Sequence, residues 1–267
     1  MAPGRNVPEF ALRAAKNMKM AQVWSSGYDK INLEDFRKHN IIVANNGGAN
    51  AFSVAEHAIL LALSVMRKLP EMHIRTKLGK WEGNGHGLNL NAINNKNFGI
   101  IGLGAIGTKV AKIAQSFDCK IFYYDVNRNY QIENERGYIF KPLLELVEQS
   151  DIISLHLHLN ELTVKLINED LIGKMKKTAI LINVSREQLV DINALARALK
   201  DKSIRGYGTD VFQVEPTLGS EEILTLENVV VTPHIAGSNI ETYELALENS
   251  VSNLYNFSIG LKPKWIV

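Results

Sequence analysis

From residue 98 onward, short apolar runs alternate with segments of helical periodicity. The runs are continuous and do not alternate with polar residues, as is typical of parallel strands covered on both faces. Six strands are predicted here: Phe98–Ile101, Lys120–Tyr124, Asp151–His156, Ala179–Val184, Ile204–Asp210 and Val229–Thr232. Helices are predicted between them at residues 106–117, 142–149, 168–175 and 191–200. This alternation predicts an α/β fold built on a doubly wound parallel sheet.

The chain before residue 98 predicts a second, smaller α/β unit. Two apolar runs, Met20–Trp24 and Ile41–Ala44, are predicted strands, and a charged helical stretch lies between them around Leu33–His39. The tail at Trp265–Val267 is a candidate for a third strand. So few strands predict a small sheet with open edges.

A long helix is predicted from about Ser53 to Leu69. Ser53 and Glu56 have the spacing of a capping box, which places the start of the helix at Ser53. Residues 79–97 are rich in Gly and Asn and predict a loop that leads back to the larger sheet.

Composition and charge exclude several classes of protein. The chain has 267 residues, of which 46% are hydrophobic and 22% charged, and its formal net charge is +2. This balance does not favour a dedicated nucleic-acid or membrane-surface protein. Cys119 is the only cysteine, which excludes a disulfide framework or a multi-cysteine metal centre. No apolar stretch is long enough to span a membrane. We therefore expect a cytoplasmic protein.

A glycine pattern connects the first strand of the larger sheet to its first helix. Gly102, Gly104 and Gly107 have the spacing G-x-G-x-x-G, and strand and helix flank them as dinucleotide binding requires. The pyrophosphate of a dinucleotide would lie at the helix N-terminus. Asp125 ends the next strand and is placed to bind the adenosine ribose hydroxyls. The pattern predicts NAD as cofactor in preference to NADP, although Arg128 follows nearby.

Three polar residues follow the ends of consecutive strands. They are Arg186, Glu215 and His234. In an open parallel sheet, ligands bind at this edge. An arginine offers a planar fork for a carboxylate, and a histidine beside a carboxylate is suited to moving a proton. Their positions therefore indicate a site for hydride-transfer chemistry on an acidic substrate, although each residue alone is equally consistent with a solvated charge or a capped turn.

Several blocks of sequence resemble one enzyme family. They are Ser26–Asp29, Asn45–Asn50, Val54–His57, Asn183–Asp191, Asp210–Pro216 and Thr232–Gly237. Together they resemble the motifs of the NAD-dependent D-isomer-specific 2-hydroxyacid dehydrogenases. Members of that family reduce a 2-oxo acid with NADH to a D-2-hydroxy acid, or catalyse the reverse reaction. The resemblance implies an oxidoreductase with a small 2-hydroxy or 2-oxo acid as substrate.

The resemblance also implies a role for individual residues. Arg186 would bind the substrate carboxylate and carbonyl oxygen, His234 would be the acid/base and Glu215 would pair with it. The backbone of Ser26 and Gly27 would bind the carboxylate, with Asn50 nearby. Asp210 would hold the nicotinamide carboxamide, and no metal is implied. The implied cofactor-binding residues are Gly102, Gly104, Ala105, Ile106, Gly107, Asp125, His156, Val184, Ser185, Asp210, His234 and Gly237.

The family organisation implies two domains and a dimer. Residues 51–236 would form the Rossmann-type NAD-binding domain. Residues 1–50 and 237–267 would form a flavodoxin-like substrate domain with a shortened N-terminus. The helix after residue 53 would pack across a two-fold axis, so a homodimer is expected.

Two positions depart from the family pattern. Glu187 follows Arg186 where the family has glycine, and we expect its side chain to point to solvent. His158 stands where the family has proline; with His156 it could form a metal pair, but no third ligand is evident.

Two alternative functions are also compatible with these residues. One is a non-catalytic NAD-binding protein, like the transcriptional corepressors that share the fold. The other is a degenerate relative that binds NAD without turnover. Binding of NADH without turnover would support either alternative.

Overall fold

The computed structural model describes residues 7–81 and 83–267. Its contacts divide the chain into two compact units, one made of Met1–Ser53 with Gly237–Val267, and the other of Val54–Ala236. The sequence predicts the first domain boundary after residue 50, whereas these units divide after Ser53.

The smaller unit has a two-stranded parallel sheet, β1 (Met20–Gln22) and β2 (Ile42–Ala44). Its helices are α1 (Glu9–Ala14), α2 (Leu33–Lys38) and α10 (Ile240–Ser258). The tail does not form a third strand, and makes only an isolated antiparallel bridge between Ala44 and Ile266. Phe36 is completely buried in the core of this unit.

The larger unit contains a seven-stranded sheet in which all neighbouring strands are parallel. The strands are β3 (Asn97–Ile101), β4 (Lys120–Tyr124), β5 (Ile139–Phe140), β6 (Ile152–Leu155), β7 (Ile180–Asn183), β8 (Gly206–Thr209) and β9 (Val229–Val231). Their order across the sheet is β5-β4-β3-β6-β7-β8-β9. The order reverses direction at β3, which is the topology of a doubly wound sheet. The predicted fold class is confirmed.

Helices cover the two faces of this sheet. They are α3 (Ala51–Arg67), α5 (Ala105–Gln115), α6 (Tyr130–Arg136), α7 (Leu143–Gln149), α8 (Glu169–Ile172) and α9 (Ile192–Lys200). Helix α4 (Leu69–Lys77) follows α3 and has no buried residue. Successive strand residues point to opposite faces: Ile180 and Ile182 belong to one apolar cluster, and Leu181 belongs to the other. All three are fully buried, and each such side chain contributes about 1.5–3 kcal/mol through burial. This explains why the run Ile180–Ile182 of β7 is continuously apolar.

The predicted capping box at Ser53 is wrong. Helix α3 begins at Ala51, two residues earlier, so Ser53 lies inside the helix. Its hydroxyl lies 2.8 Å from the Oγ1 of Thr242 and accepts a hydrogen bond from the Nδ2 of Asn239 at 2.8 Å. The serine therefore contacts another element of the smaller unit and does not cap its own helix.

Within the described part of the chain, no helix is long and apolar enough to cross a membrane.

Candidate active site

The glycine loop of the larger unit is constrained by packing at two of its three glycines. Gly102 has φ +94, and a Cβ there would lie 2.6 Å from the carbonyl oxygen of His156. A Cβ at Gly107 would overlap the carbonyl oxygen of Gly102. Gly104, by contrast, is exposed, and a Cβ added to it would have open space on every side, with no atom within 4 Å. The open glycine is where another molecule can approach the backbone.

Helix α5 starts directly after Gly104. The N–H groups of its first residues, Ala105, Ile106 and Gly107, have no acceptors within an α-helix. Together with the helix dipole they favour an anion at this end. The open loop and the free end of the helix fit the pyrophosphate of NAD.

Asp125 lies beside this loop. Its Oδ2 accepts a hydrogen bond from the Leu103 N–H at 2.8 Å, and its Oδ1 accepts one from the Asn127 N–H at 3.0 Å. The side chain remains partly exposed. A carboxylate held at this place can bind ribose hydroxyls and repels a 2′-phosphate.

Arg128, the residue that complicates the choice between NAD and NADP, is held by Glu133. Two hydrogen bonds of 2.8 Å connect the guanidinium to the carboxylate, and the rings of Tyr130 and Phe140 lie 4.6 and 5.0 Å from it. The hydrogen bonds from Arg128 lower the pKa of Glu133 to about 2. In this arrangement, Arg128 is committed to a neighbouring carboxylate, which favours NAD.

His234 and Glu215 form a hydrogen-bonded pair on loops after β9 and β8. The Nδ1 of His234 lies 2.9 Å from both carboxylate oxygens of Glu215. Because an ionised carboxylate only accepts hydrogen bonds, Nδ1 carries a proton and Nε2 is the atom that can exchange one. The side chain of His234 is 46% exposed, so its ring is accessible. The pair has the geometry of an acid/base and its orienting group.

Arg186 follows strand β7, which is the neighbour of β8 in the sheet. Its main-chain oxygen accepts a hydrogen bond from the Nδ2 of Asn183 at 2.8 Å, and its Nη1 donates to the carbonyl oxygen of Ser185 at 2.6 Å. Ser185 is tied in turn to the carbonyl oxygen of Leu155 at 2.8 Å. Val184, also predicted to contact the cofactor, is buried and 8% exposed. These contacts fix the loop that carries the guanidinium at the carboxyl end of the sheet.

Glu187 does not point freely to solvent, so this expectation is wrong. Its Oε2 accepts a hydrogen bond from the Gln213 N–H at 2.9 Å, in the loop that carries Glu215. Burial raises the pKa of Glu187, and the charges of Glu221 and Glu215 raise it further. The residue that replaces the family glycine therefore connects the loops after β7 and β8.

Asp210 is placed differently from the nicotinamide-binding role that the resemblance implies. Its side chain is only 1% exposed, and its oxygens accept hydrogen bonds from the hydroxyl of Thr232 and the N–H groups of Ile235 and Ala236. It thus anchors the loop that carries His234. In this structure it presents no exposed oxygen to a carboxamide.

His156 lies against the glycine loop and is neutral. Burial lowers its pKa to about 3. Its Nε2 pairs with the hydroxyl of Ser154 at 2.8 Å, while its buried Nδ1 has no hydrogen-bond partner. Among residues 7–81 and 83–267, no group of three His, Cys, Asp or Glu side chains is arranged to bind a metal. The pairing of His156 with His158 as metal ligands has no support.

The residues predicted to bind substrate in the smaller unit lie close together. The Ser26 hydroxyl donates to the carbonyl oxygen of Asn46 at 2.6 Å and lies 3.0 Å from the Oδ1 of Asn50. The carbonyl oxygen of Gly27 accepts a hydrogen bond at 2.7 Å from the hydroxyl of Ser25. A Cβ at Gly237 would lie 3.2 Å from the side chain of Asn50.

Comparison with known proteins identifies the family. Residues 59–236 match the family model described as "D-isomer specific 2-hydroxyacid dehydrogenase, NAD binding domain". The chain belongs to the D-isomer specific 2-hydroxyacid dehydrogenase family. It is therefore an NAD-dependent dehydrogenase that acts on CH–OH donors, and its cofactor is NAD.

Individual relatives agree with this assignment. The chain is 37% identical to a glyoxylate reductase of Korarchaeum cryptofilum, over 95% of its own length and 77% of the relative's. It is 38% identical to a glyoxylate reductase of Thermofilum pendens, over 95% of its length and 76% of the relative's. Among solved structures, the D-lactate dehydrogenase of Aquifex aeolicus, complexed with NAD and lactic acid, superimposes with a TM-score of 0.85 at 30% identity. That match covers 95% of this chain and 86% of the other.

Proposed function

We propose that this dehydrogenase reduces a small 2-oxo acid to the corresponding D-2-hydroxy acid, and that His234 is its acid/base. The observation that carries the proposal is the contact of His234 Nδ1 with both oxygens of Glu215 at 2.9 Å. It leaves the opposite ring nitrogen to exchange a proton with a substrate. The glyoxylate reductases among the relatives favour glyoxylate as the first substrate to test.

The chemistry follows from charge. NADH supplies the hydride when it is bound. As the hydride reaches C2 of the oxo acid, the carbonyl oxygen gains negative charge, and the Nε2 of His234 donates a proton to it. Glu215 orients the imidazole and stabilises the positive charge on the ring. Arg186 binds the substrate carboxylate and stabilises the developing charge on the oxygen. In the reverse direction, His234 accepts the proton of the hydroxyl group.

The two units would bind different ligands. We propose that the unit of Val54–Ala236 binds NAD and that the other unit binds the substrate carboxylate through Ser26, Gly27 and Asn50. The proposed contacts to NAD are Gly102, Gly104, Ala105, Ile106, Gly107, Asp125, His156, Val184, Ser185, Asp210, His234 and Gly237. Among these, Asp210 is buried and bound to the loop after β9, so its proposed part in NAD binding is to hold that loop in place.

We also propose a homodimer. Several large apolar side chains are exposed along α3, α4 and the segment after them: Leu60, Leu69, Ile74, Leu78 and Trp81. Trp81 alone is 83% exposed. An exposed apolar surface of this kind is typical of a protein interface.

Absorbance of NADH in the presence of glyoxylate, hydroxypyruvate and pyruvate tests the proposed function. We expect turnover with at least one of these acids, and a loss of about 10²-fold or more in kcat in His234→Ala. Unchanged turnover in His234→Ala would contradict the assignment of the acid/base. Binding of NADH without turnover across the panel would favour the non-catalytic alternatives.

A further inference from the structure

A largely buried histidine outside the proposed reaction centre contacts the loop of His234. His57 is on helix α3, and its side chain is only 11% exposed. Its Nε2 lies 2.8 Å from the Oγ1 of Thr232 and 3.7 Å from the Oδ1 of Asp210. The reaction described above makes no use of this residue.

The hydrogen-bond directions in this cluster follow from the groups involved. The Asp210 carboxylate accepts from two backbone N–H groups, so the hydroxyl of Thr232 uses its only proton to donate to it. The oxygen of Thr232 is then an acceptor toward His57. His57 must therefore carry its proton on Nε2 and donate it to Thr232. Burial lowers the pKa of His57, against the opposing effect of Asp210, so the neutral imidazole is favoured.

The same carboxylate holds the main chain on both sides of His234. Thr232 precedes His234 by two residues, and the N–H groups of Ile235 and Ala236 follow it directly. His234 itself has φ 55, a left-handed conformation that residues other than glycine adopt rarely. Its backbone is thus held in an uncommon conformation by bonds to Asp210, whose Oδ1 is oriented by Thr232.

We propose that His57 is a positioning residue for the reaction: its Nε2–H orients Thr232, which orients Asp210, which fixes the loop of His234. The inference rests on the proposed role of His234. In this proposal, His57 contacts neither the substrate nor the cofactor. The structure connects His57 to the loop across 175 positions of sequence.

Matched variants test the hydrogen-bond chain. His57→Leu removes the donor and retains an apolar side chain, whereas His57→Gln retains an N–H donor. We expect kcat to fall by about tenfold in His57→Leu, because small displacements of a reacting group lower turnover, and to recover in His57→Gln. The dissociation constant for NADH should stay within about twofold in both variants. Thr232→Val should resemble His57→Leu, and Thr232→Ser should resemble the wild type.

A double-mutant cycle and a spectroscopic measurement complete the test. If the residues act in one hydrogen-bond chain, His57→Leu combined with Thr232→Val lowers kcat no further than Thr232→Val alone.

Nitrogen-15 NMR of the wild-type protein should show His57 as the neutral Nε2–H tautomer. This readout is independent of activity and of the folding of any variant. An Nδ1–H tautomer, wild-type kcat in His57→Leu, or equal losses in His57→Gln and His57→Leu would each overturn the proposal. A wild-type protein without turnover but with the Nε2–H tautomer would contradict the proposed function and leave the hydrogen-bond chain supported.

Discussion

Glu187 shows how a single substitution in a family motif is accommodated. The side chain reaches the Gln213 N–H and so connects two loops of the site. The sequence identified the position as unusual, but could not give the direction of the side chain. That direction depends on the loop after β8, more than twenty residues away in sequence.

The raised pKa of Glu187 makes a prediction about stability. The unfolded chain ionises this carboxyl at its ordinary value, whereas the folded protein resists ionisation because the group is partly buried. The free energy of unfolding therefore falls as pH rises from the ordinary pKa of glutamate to the raised pKa of Glu187, and it stays lowered at higher pH. A glutamine at the position can still accept the hydrogen bond but has no charge. We expect Glu187→Gln to unfold at higher urea concentration than the wild type at about pH 8, with the difference disappearing at about pH 4.

Urea denaturation at the two pH values checks this, with Glu148→Gln as the control. Glu148 is an exposed carboxyl on α7. An advantage of Glu187→Gln that is equal at both pH values would show that the buried charge is not its cause.

The contact between Glu133 and Arg128 leads to a prediction about the choice between NADH and NADPH. Glu133 holds Arg128 through two hydrogen bonds, and Asp125 stands at the ribose position. In Glu133→Gln the arginine loses its ionic partner and becomes available to a 2′-phosphate. We expect the ratio of kcat/KM for NADPH to that for NADH to rise by about tenfold, equal to about 1.4 kcal/mol.

The matched control for that prediction is Glu135→Gln on the same helix. Glu135 contacts Gln131 at 2.7 Å and is exposed. A ratio that stays at its wild-type value in Glu133→Gln, or rises equally in both variants, would show that Glu133 does not restrain Arg128.

Among the elements, apolar runs predicted the six principal strands. Strands β6, β7 and β8 are fully buried, whereas no residue of β9 is. Helix α10 was missed for the opposite reason. Its buried side chains are Thr242, Ala246, Ser250 and Asn253, so the helix has no apolar stripe toward its neighbours. The Asn46 side chain donates to the Ser250 hydroxyl at 3.0 Å.

The positions of the glycine loop and of the residues after β7, β8 and β9 could be predicted from the sequence. The hydrogen bonds of Asp210 and His57 could not be predicted, because their partners lie on other elements.

The junction of β3 and α5 provides a prediction about packing. Alanine is the better helix former by about 1 kcal/mol, but a Cβ at Gly107 would overlap a backbone oxygen that cannot rotate away. We expect Gly107→Ala to lower the free energy of unfolding by about 2 kcal/mol and to weaken NADH binding. Thermal denaturation and NADH fluorescence measure the two effects.

Gly104→Ala distinguishes packing from ligand approach. Because the added Cβ would meet no atom within 4 Å, this variant should keep the stability of the wild type while NADH binding weakens. Loss of stability in Gly104→Ala, or none in Gly107→Ala, would contradict the roles given to these glycines.

For the whole molecule, the proposed homodimer depends on the apolar surface of α3 and α4. We expect light scattering after gel filtration to give twice the chain mass of 29.8 kDa. Leu78→Glu places a charge on a residue that is 67% exposed in one chain. This variant should shift the mass toward that of the monomer. Leu162→Glu is the control, because Leu162 is 88% exposed on a loop distant in sequence from these helices, and it should leave the mass unchanged. A wild-type monomer would contradict the proposal.

Following the transferred hydrogen tests the proposed hydride transfer most directly. The protein is incubated with pyruvate and with NADH carrying deuterium at C4 of the nicotinamide, in each of the two configurations, and the product is analysed by mass spectrometry and chiral chromatography. We expect D-lactate with one deuterium at C2 from one of the two labelled cofactors, and no labelled product when His234→Ala replaces the wild type. Consumption of NADH without deuterium in the product from either labelled cofactor, or formation of L-lactate, would contradict the proposed reaction.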